Sequence, residues 1–226
     1  MESAVTTHRL RRRSALALLA LATPLGGGLA TTVAASPYPW REEPARETIR
    51  RHSFPDITLR THLGKPVRFY QDLIRDKFVI LNFMYINCAD GSCPVTTYNL
   101  RMVQPLLHGR IGHDVNLYSI TLDPERDSVE MLRNYAEVHR VGPGWTFLRA
   151  APKDTDVLRR ALGFYDRDPV LDAQKSTHVA MVRFGNEPRA QWGSVSGLSD
   201  PRRIAQAVNA VWGAERLARS GPARLR

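Results

Sequence analysis

Two periods of hydrophobic spacing recur along the chain, one typical of strands and the other of helices. The longest strand-like runs cover residues 78–83 and 115–122, which are apolar or rich in β-branched and aromatic side chains. Shorter runs predict further strands, at 54–59, 67–69 and 145–148, and a late pair that begins near residues 178 and 189. The pattern therefore predicts a sheet built around two core strands.

Apolar residues at helical spacing follow several of these strands. Helices are predicted from Pro94, from a cap at Asp127 or Ser128, over residues 154–162, and over the last apolar positions, Ile204 to Trp212. Residues 166–177 are polar and irregular, and they predict a loop over one face. Strands that alternate with helices predict an α/β fold, with a central sheet flanked by helices on both faces. Because a short turn joins the late pair of strands, the sheet should be mixed.

The N-terminal residues predict a segment that directs the chain out of the cytoplasm. Residues 1–35 contain an arginine cluster, an apolar stretch, a Pro/Gly break and small residues, a pattern typical of an export signal and loosely of the twin-arginine type. An uncleaved anchor in the inner membrane, facing the periplasm, is the alternative. Residues 36–52 predict a linker, 53–213 a single domain and 214–226 a flexible tail. The expected location is the periplasm.

The charge of the chain argues against nucleic acid as a partner. The formal net charge is +10, and about +7 remains once residues 1–35 are set aside. The arginines are scattered singly or in pairs, whereas a nucleic-acid-binding surface gathers them into one stripe with interleaved aromatic residues. A weak attraction to anionic membrane surfaces remains compatible with this excess of positive charge.

The chain has two cysteines, Cys88 and Cys93, and both stand between a predicted strand and a predicted helix. Pro94 suits the first turn of a helix, where its missing N–H removes a donor that would otherwise lack a partner. Cys93 is therefore expected at or just before a helix N-terminus, where the helix dipole and free N–H groups favour the thiolate. Strand, cysteine loop and helix together predict the reactive edge of a thioredoxin-like fold.

Three uses of the cysteine pair are compatible with its spacing. A structural disulfide is the first, but a bridge that closes so short a loop stabilises little. Close spacing favours a redox pair or a metal clamp instead. Two thiolates bind a soft ion such as Cu(I), and one imidazole completes a three-coordinate site that also accepts Cu(II). The spacing does not select that imidazole, and the candidates after the export signal are His52, His62, His108, His113, His139 and His178.

Three blocks of the sequence resemble the Sco/SenC family, thioredoxin-fold copper-binding proteins that assist assembly of the binuclear copper centre of cytochrome c oxidase. The first block is residues 83–94 with the cysteine pair, the second is the LDPERDS segment at 122–128, and the third is the segment STHVAMVRF around His178. Their order along the chain is also that of the family. The likeness covers residues 54–196, most of the chain after the export signal.

This resemblance implies a copper site and a partner. By it, Cys88, Cys93 and His178 would bind copper as Cu(I) or Cu(II), and Asp123 would lie near the site, where it orients a ligand or tunes the charge at the metal. The alternative for Asp123 is a turn carboxylate that holds its own loop. The implied function is a metallochaperone, without catalytic turnover, that delivers copper to the copper-accepting subunit of cytochrome c oxidase or to another copper protein.

The cysteine loop departs from the family pattern in its length. It holds four intervening residues where the family has three, and Ala89 stands where the family has proline. Asp90 and Gly91 are expected to absorb the extra residue, because glycine accepts a positive φ and the pair favours a tight turn. The resemblance therefore predicts a copper site on a slightly longer loop.

A thiol-disulfide oxidoreductase is the main alternative function, with Cys88 and Cys93 as its redox pair. The pair of a thioredoxin-type reductase has only two intervening residues, and disulfide exchange does not need His178. A peroxidase of the same fold would carry threonine or serine three residues before its reactive cysteine, where this chain has Tyr85 and Asp90. An exported interaction domain with a structural disulfide is the remaining interpretation.

Overall fold

The computed structural model describes residue 50, residues 54–174 and residues 180–219, with side chains as far as residue 212. These residues contain a seven-stranded mixed sheet of order β2-β1-β5-β4-β3-β6-β7. The strands are β1 (Thr58–Thr61), β2 (Pro66–Arg68), β3 (Phe78–Met84), β4 (Val115–Thr121), β5 (Trp145–Arg149), β6 (Met181–Asn186) and β7 (Gln191–Ser196). The helices are α1 (Ser92–Leu106), α2 (Val129–Val138), α3 (Pro152–Ala161), α4 (Pro169–Asp172) and α5 (Pro201–Arg219). A π-helical turn (Phe69–Ile74) precedes β3, and a 3₁₀ turn (Glu187–Arg189) joins β6 to β7.

Strand β3 lies inside the sheet, between β4 and β6, and all of its residues are buried. It pairs in parallel with β4, from Phe78 opposite Val115 to Met84 opposite Thr121, and antiparallel with β6. This setting explains the largely apolar run over 78–83, because a strand buried on both faces has no side that faces water. The parallel pairing also brings the C-terminal ends of β3 and β4 to the same edge of the sheet, where the cysteine loop begins.

Helices cover both faces of the sheet, as the sequence predicts. On one face, Ile80 belongs to a core with Leu100 of α1 and Ile204 of α5. Leu81, the next residue of β3, belongs to a second core that includes Leu158 of α3. Successive strand residues point to opposite faces, so β3 contributes to both cores. The prediction of an α/β fold with a mixed sheet and helices on both faces is confirmed.

The first strand is shorter than predicted and begins at Thr58 rather than at residue 54. Phe54 instead packs its ring against Trp192 of β7 and against Tyr70, with ring centroids 4.8 and 6.2 Å apart. Such aromatic contacts bury a large apolar area. A contact between distant parts of the chain therefore replaces the strand pairing that local alternation predicts for Phe54.

The segment 166–177, predicted as an irregular loop, contains the short helix α4. Asp172, its last residue, has a side chain only 4% exposed that accepts hydrogen bonds from Arg159 at 2.5 and 2.8 Å and from Arg160 at 2.6 Å. The hydrogen-bonded guanidinium of Arg159 holds the pKa of Asp172 below its ordinary range. This charged pair fastens α4 to α3.

Only part of the predicted domain organisation falls within the described residues. Helix α5 continues to Arg219, past the domain end predicted at residue 213, through residue types that favour helix. The export signal or anchor at 1–35, almost all of the linker at 36–52 and the last residues of the tail lie outside the described part of the chain. In the described part, no helix is both long enough and apolar enough to cross a membrane.

Candidate functional site

The cysteine loop begins where β3 ends and closes at the N-terminus of α1. Gly91 precedes the first residue of α1 and has a φ of +74°, a conformation that glycine adopts without strain. Its N–H donates to the Cys88 carbonyl at 3.3 Å, so residues 88–91 form a tight turn. This turn accommodates the extra residue of the loop, as the sequence predicts.

The two cysteines are free thiols that lie side by side. Cys93, in the first turn of α1, donates its N–H to the Cys88 sulfur at 3.2 Å. The Tyr85 N–H donates to the Cys93 sulfur, with a nitrogen–sulfur distance of 3.5 Å. Each sulfur therefore receives a backbone N–H, an arrangement that stabilises negative charge on sulfur once a thiol has lost its proton.

The two thiols differ in their access to solvent. Cys93 is only 1% exposed, whereas Cys88 is half-buried. Burial raises the pKa of the Cys93 thiol, and its hydrogen bond with the Cys88 thiol raises that pKa further. The sequence predicts a Cys93 thiolate favoured by the helix N-terminus; the structure places Cys93 in that first turn, but its burial shifts the pKa in the opposite direction.

Asp90 organises the exposed side of the cysteine loop. Its Oδ1 accepts hydrogen bonds from the Cys88 thiol at 2.9 Å, from the Ser92 N–H at 3.0 Å and from the Ser92 hydroxyl at 2.9 Å. One carboxylate oxygen thus orients the Cys88 sulfur and also satisfies a backbone donor at the start of α1, which the helix itself leaves without a partner. From the sequence, Asp90 is a turn residue; its contact with Cys88 is visible only in the folded loop.

The LDPERDS segment lies at the same edge of the sheet, immediately after β4. The Leu122 N–H donates to the Met84 carbonyl at 2.7 Å and joins this segment to the end of β3. Asp123 is buried, its N–H donates to Thr121 Oγ1 at 2.9 Å, and its carboxylate lies 3.6 Å from Arg126 Nη1. These are the contacts of a turn residue, and a role for Asp123 in orienting a metal ligand stays a prediction.

Asp127 connects the LDPERDS segment to the cysteine loop. Its Oδ2 accepts hydrogen bonds from the Thr121 hydroxyl at 2.5 Å and from the Ile86 N–H at 3.2 Å, although 41 residues separate Asp127 from Ile86. Ser128, rather than Asp127, caps α2 by accepting a hydrogen bond from the Met131 N–H at 3.1 Å. The sequence predicts either residue as the cap, and no local signal places Asp127 against the cysteine loop.

Two buried phenols border the cysteines. Tyr135 of α2 forms a hydrogen bond with Thr97 of α1, with 3.0 Å between the two oxygens, and burial raises the pKa of Tyr135 to about 12. Burial also raises the pKa of Tyr85, and the nearby Cys88 thiol adds to this effect. Both phenols therefore stay protonated at neutral pH, so they border the sulfurs as uncharged groups.

The structure brings together two of the three predicted metal ligands, Cys88 and Cys93, whereas His178 lies outside the described residues. Among the described histidines, His62 accepts a backbone N–H on Nδ1 at 3.1 Å, and the ring of His139 packs on an aromatic ring of α2. Over the described ranges, no three His, Cys, Asp or Glu side chains are gathered to hold a metal. The assignment of His178 as the third ligand stays a prediction.

Known proteins resemble this chain in sequence and in fold. A family model described as SCO1/SenC matches residues 50–213, whereas no curated protein sequence matches. Among solved structures, ScoI from Arabidopsis thaliana with copper bound is 20% identical, with a TM-score of 0.56 over 73% of this chain and 99% of that one. A SCO1/SenC family lipoprotein from Bacillus anthracis is 20% identical, with a TM-score of 0.56 over 69% of this chain and 92% of that one.

A third solved structure is that of BsSco, in which a disulfide switch was identified and which is described as a member of the Sco family of cytochrome c oxidase assembly proteins. It is 19% identical, with a TM-score of 0.54 over 69% of this chain and 90% of that one. At these identities the structural likeness shows the fold, and it confirms the predicted thioredoxin-like architecture.

The family match extends over most of the chain. Its range includes both cysteines, the LDPERDS segment and the position of His178. It therefore confirms the resemblance that three blocks of the sequence carry, and it does so over a longer stretch than those blocks alone. The chain belongs to the SCO1/SenC family.

Proposed function

We propose that the chain is an exported metallochaperone that holds copper on Cys88, Cys93 and His178 and delivers it to the copper-accepting subunit of cytochrome c oxidase or to another copper protein. The observation that carries this proposal is the pair of adjacent free thiols, each with a backbone N–H directed at its sulfur. Two soft sulfur donors suit Cu(I), and the His178 imidazole would complete a three-coordinate site that also accepts Cu(II).

The unequal exposure of the two sulfurs suits a site that must release its copper ion to a partner protein. Cys93 is buried and Cys88 is half-buried, so a ligand from a partner protein reaches the Cys88 side of the site first. Replacement of Cys88 by a partner ligand, followed by replacement of Cys93 and His178, moves the ion as each bond to this chain is exchanged for a bond to the partner. Each thiol loses its proton when it binds the ion, and the two N–H donors stabilise the resulting sulfur charge.

The proposed location is the periplasm, either free or anchored to the inner membrane. The arginine cluster and apolar stretch of residues 1–35 support export, and the related Bacillus anthracis structure is described as a lipoprotein. The role in cytochrome c oxidase assembly draws support from family membership and from the printed description of BsSco.

A thiol-disulfide oxidoreductase is the second candidate function, and the closeness of the two free thiols favours it. In that reaction the Cys88 thiolate attacks a partner disulfide and forms a mixed disulfide. Cys93 then displaces the partner sulfur, so the pair loses two electrons and two protons to the partner as the Cys88–Cys93 bond forms. The raised pKa of Cys93 slows this second step at neutral pH.

Copper transfer distinguishes the two functions. The reduced protein loaded with one Cu(I) is mixed without oxygen with the reduced, copper-free soluble domain of a cytochrome oxidase copper subunit. After the two proteins are separated, metal analysis should find the copper on the acceptor. The proposal is wrong if the acceptor stays copper-free while the metal-free chain reduces the disulfide of the oxidised acceptor, since that result identifies an oxidoreductase.

A further inference from the structure

The chain leaves the sheet after Met84, four residues before Cys88. Ile86 lies past the last pair of the β3–β4 ladder, Met84 opposite Thr121, so no strand neighbour satisfies its N–H there. That N–H donates instead to Oδ2 of Asp127 at 3.2 Å. Asp127 thus satisfies the Ile86 N–H outside the sheet, as a neighbouring strand would inside it.

The Asp127 carboxylate is itself held in place. It is only 1% exposed, its Oδ2 also accepts the hydroxyl of Thr121 at 2.5 Å, and its own N–H donates to the Asp123 carbonyl at 2.8 Å. Burial of a carboxylate is costly unless its oxygens are hydrogen-bonded. The Asp127 side chain is not the N-cap of α2, because Ser128 caps that helix. Its Oδ2 instead joins β4, through Thr121, to the approach to Cys88, through Ile86.

We propose that Asp127 is a positioning residue for the cysteine pair. It fixes the path of the chain from β3 to Cys88 and so keeps the Cys88 sulfur at the Cys93 N–H. Without the bond to Ile86, the residues between Met84 and Cys88 lose a hydrogen bond to the LDPERDS segment, and the sulfur moves with them. Only the copper readout of this inference rests on the proposed function. The disulfide readout does not, because the position of the Cys88 sulfur also governs formation of the Cys88–Cys93 disulfide.

Three variants of the full chain test the inference. Asp127→Ala removes the acceptor, whereas Asp127→Asn keeps one oxygen able to accept both hydrogen bonds. Ser128→Ala is the matched control, because it weakens the same segment through the α2 cap without touching Ile86. Cu(I) affinity is measured by anaerobic competition. The disulfide is measured at equilibrium with glutathione, where glutathione disulfide takes two electrons and two protons from the thiols as the protein disulfide forms.

Asp127→Ala should bind Cu(I) about tenfold more weakly, as is typical when a group that orients a metal ligand is lost. It should also shift the glutathione ratio at which the pair is half-oxidised. Asp127→Asn and Ser128→Ala should stay near the wild type in both readouts, although Ser128→Ala melts at a lower temperature. If the wild type does not bind Cu(I), the proposed function is refuted but the role of Asp127 is not. The glutathione readout then decides that role.

Three results would overturn the inference. The first is an Asp127→Ala protein equal to the wild type in both readouts, and the second is an equal loss in Ser128→Ala. The third is an Asp127→Asn protein as impaired as Asp127→Ala, which would assign the effect to charge rather than position. If Asp127→Ala does not fold, hydrogen exchange of the Ile86 amide in the wild type decides: protection is expected, and exchange as fast as at unbonded loop amides overturns the inference.

Discussion

Cu(I) should raise the melting temperature of the reduced protein, and Cys88→Ser and Cys93→Ser should each abolish that rise. An ion that binds only the folded state stabilises it by mass action, by about 4 kcal/mol when its free concentration is about 1,000 times Kd. For a domain of this size, that gain corresponds to roughly 8–16 °C in melting temperature. Serine removes the soft donor and leaves a hydroxyl that binds Cu(I) poorly, so each variant should melt at the same temperature with and without the ion.

Ser92→Ala is the matched control for this experiment. The Ser92 hydroxyl donates to Asp90 and lies 3.6 Å from the Cys88 sulfur, but its replacement removes neither thiol. The control should therefore keep the copper-dependent rise even if its metal-free melting temperature falls. Thermal unfolding is followed by circular dichroism without oxygen, with Cu(I) supplied from a buffered complex. Retention of the full rise in both serine variants would show that the cysteines are not the ligands.

Alkylation of the reduced protein at neutral pH should modify Cys88 at least about tenfold faster than Cys93, since the thiolate is the nucleophile and each unit of raised pKa costs about a factor of ten in thiolate. Cys93 is buried and burial raises its pKa, whereas Cys88 is half-buried and open to the reagent. The rate at Cys93 should rise only at alkaline pH, where its thiol begins to lose the proton. Timed reaction with iodoacetamide, followed by peptide mass spectrometry, measures both rates in one sample.

The single-thiol variants Cys88→Ser and Cys93→Ser serve as controls for alkylation. Kept reduced with a phosphine, they cannot form the Cys88–Cys93 disulfide, so a difference in rate reports exposure and thiolate content alone. The slower alkylation is expected in Cys88→Ser, where Cys93 is the remaining thiol. Equal rates in the two variants would mean that the helix dipole, rather than burial, governs Cys93, as the local sequence suggests.

The sequence predicts those parts of the structure that have local causes. The largely apolar run over 78–83 indicates a strand buried on both faces, and β3 is an interior strand whose residues are all buried. Pro94 indicates the first turn of a helix, and α1 begins at Ser92. Asp90 and Gly91 indicate a turn, and Gly91 has the positive φ that such a turn requires. The position of the cysteine loop at the sheet edge follows from these local signals.

Features that arise from contacts between distant residues could not be predicted in this way. The bond between Asp127 and Ile86 exists because the parallel pairing of β3 and β4 brings two distant segments to one edge. Packing of α1 against the core buries Cys93, and this burial raises the pKa of its thiol. The third ligand shows a further limit: spacing leaves several histidines open, and only the family resemblance selects His178.

The central claim is that one copper ion binds to Cys88, Cys93 and His178, and an anaerobic Cu(I) competition titration tests it most directly. The wild type is compared with His178→Ala and with His113→Ala, in which an exposed histidine is replaced as a control. The proposed site predicts one tightly bound Cu(I) per chain, marked weakening in His178→Ala and no change in His113→Ala. A wild type without tight Cu(I) binding, or a His178→Ala protein that binds as tightly as the wild type, would contradict it.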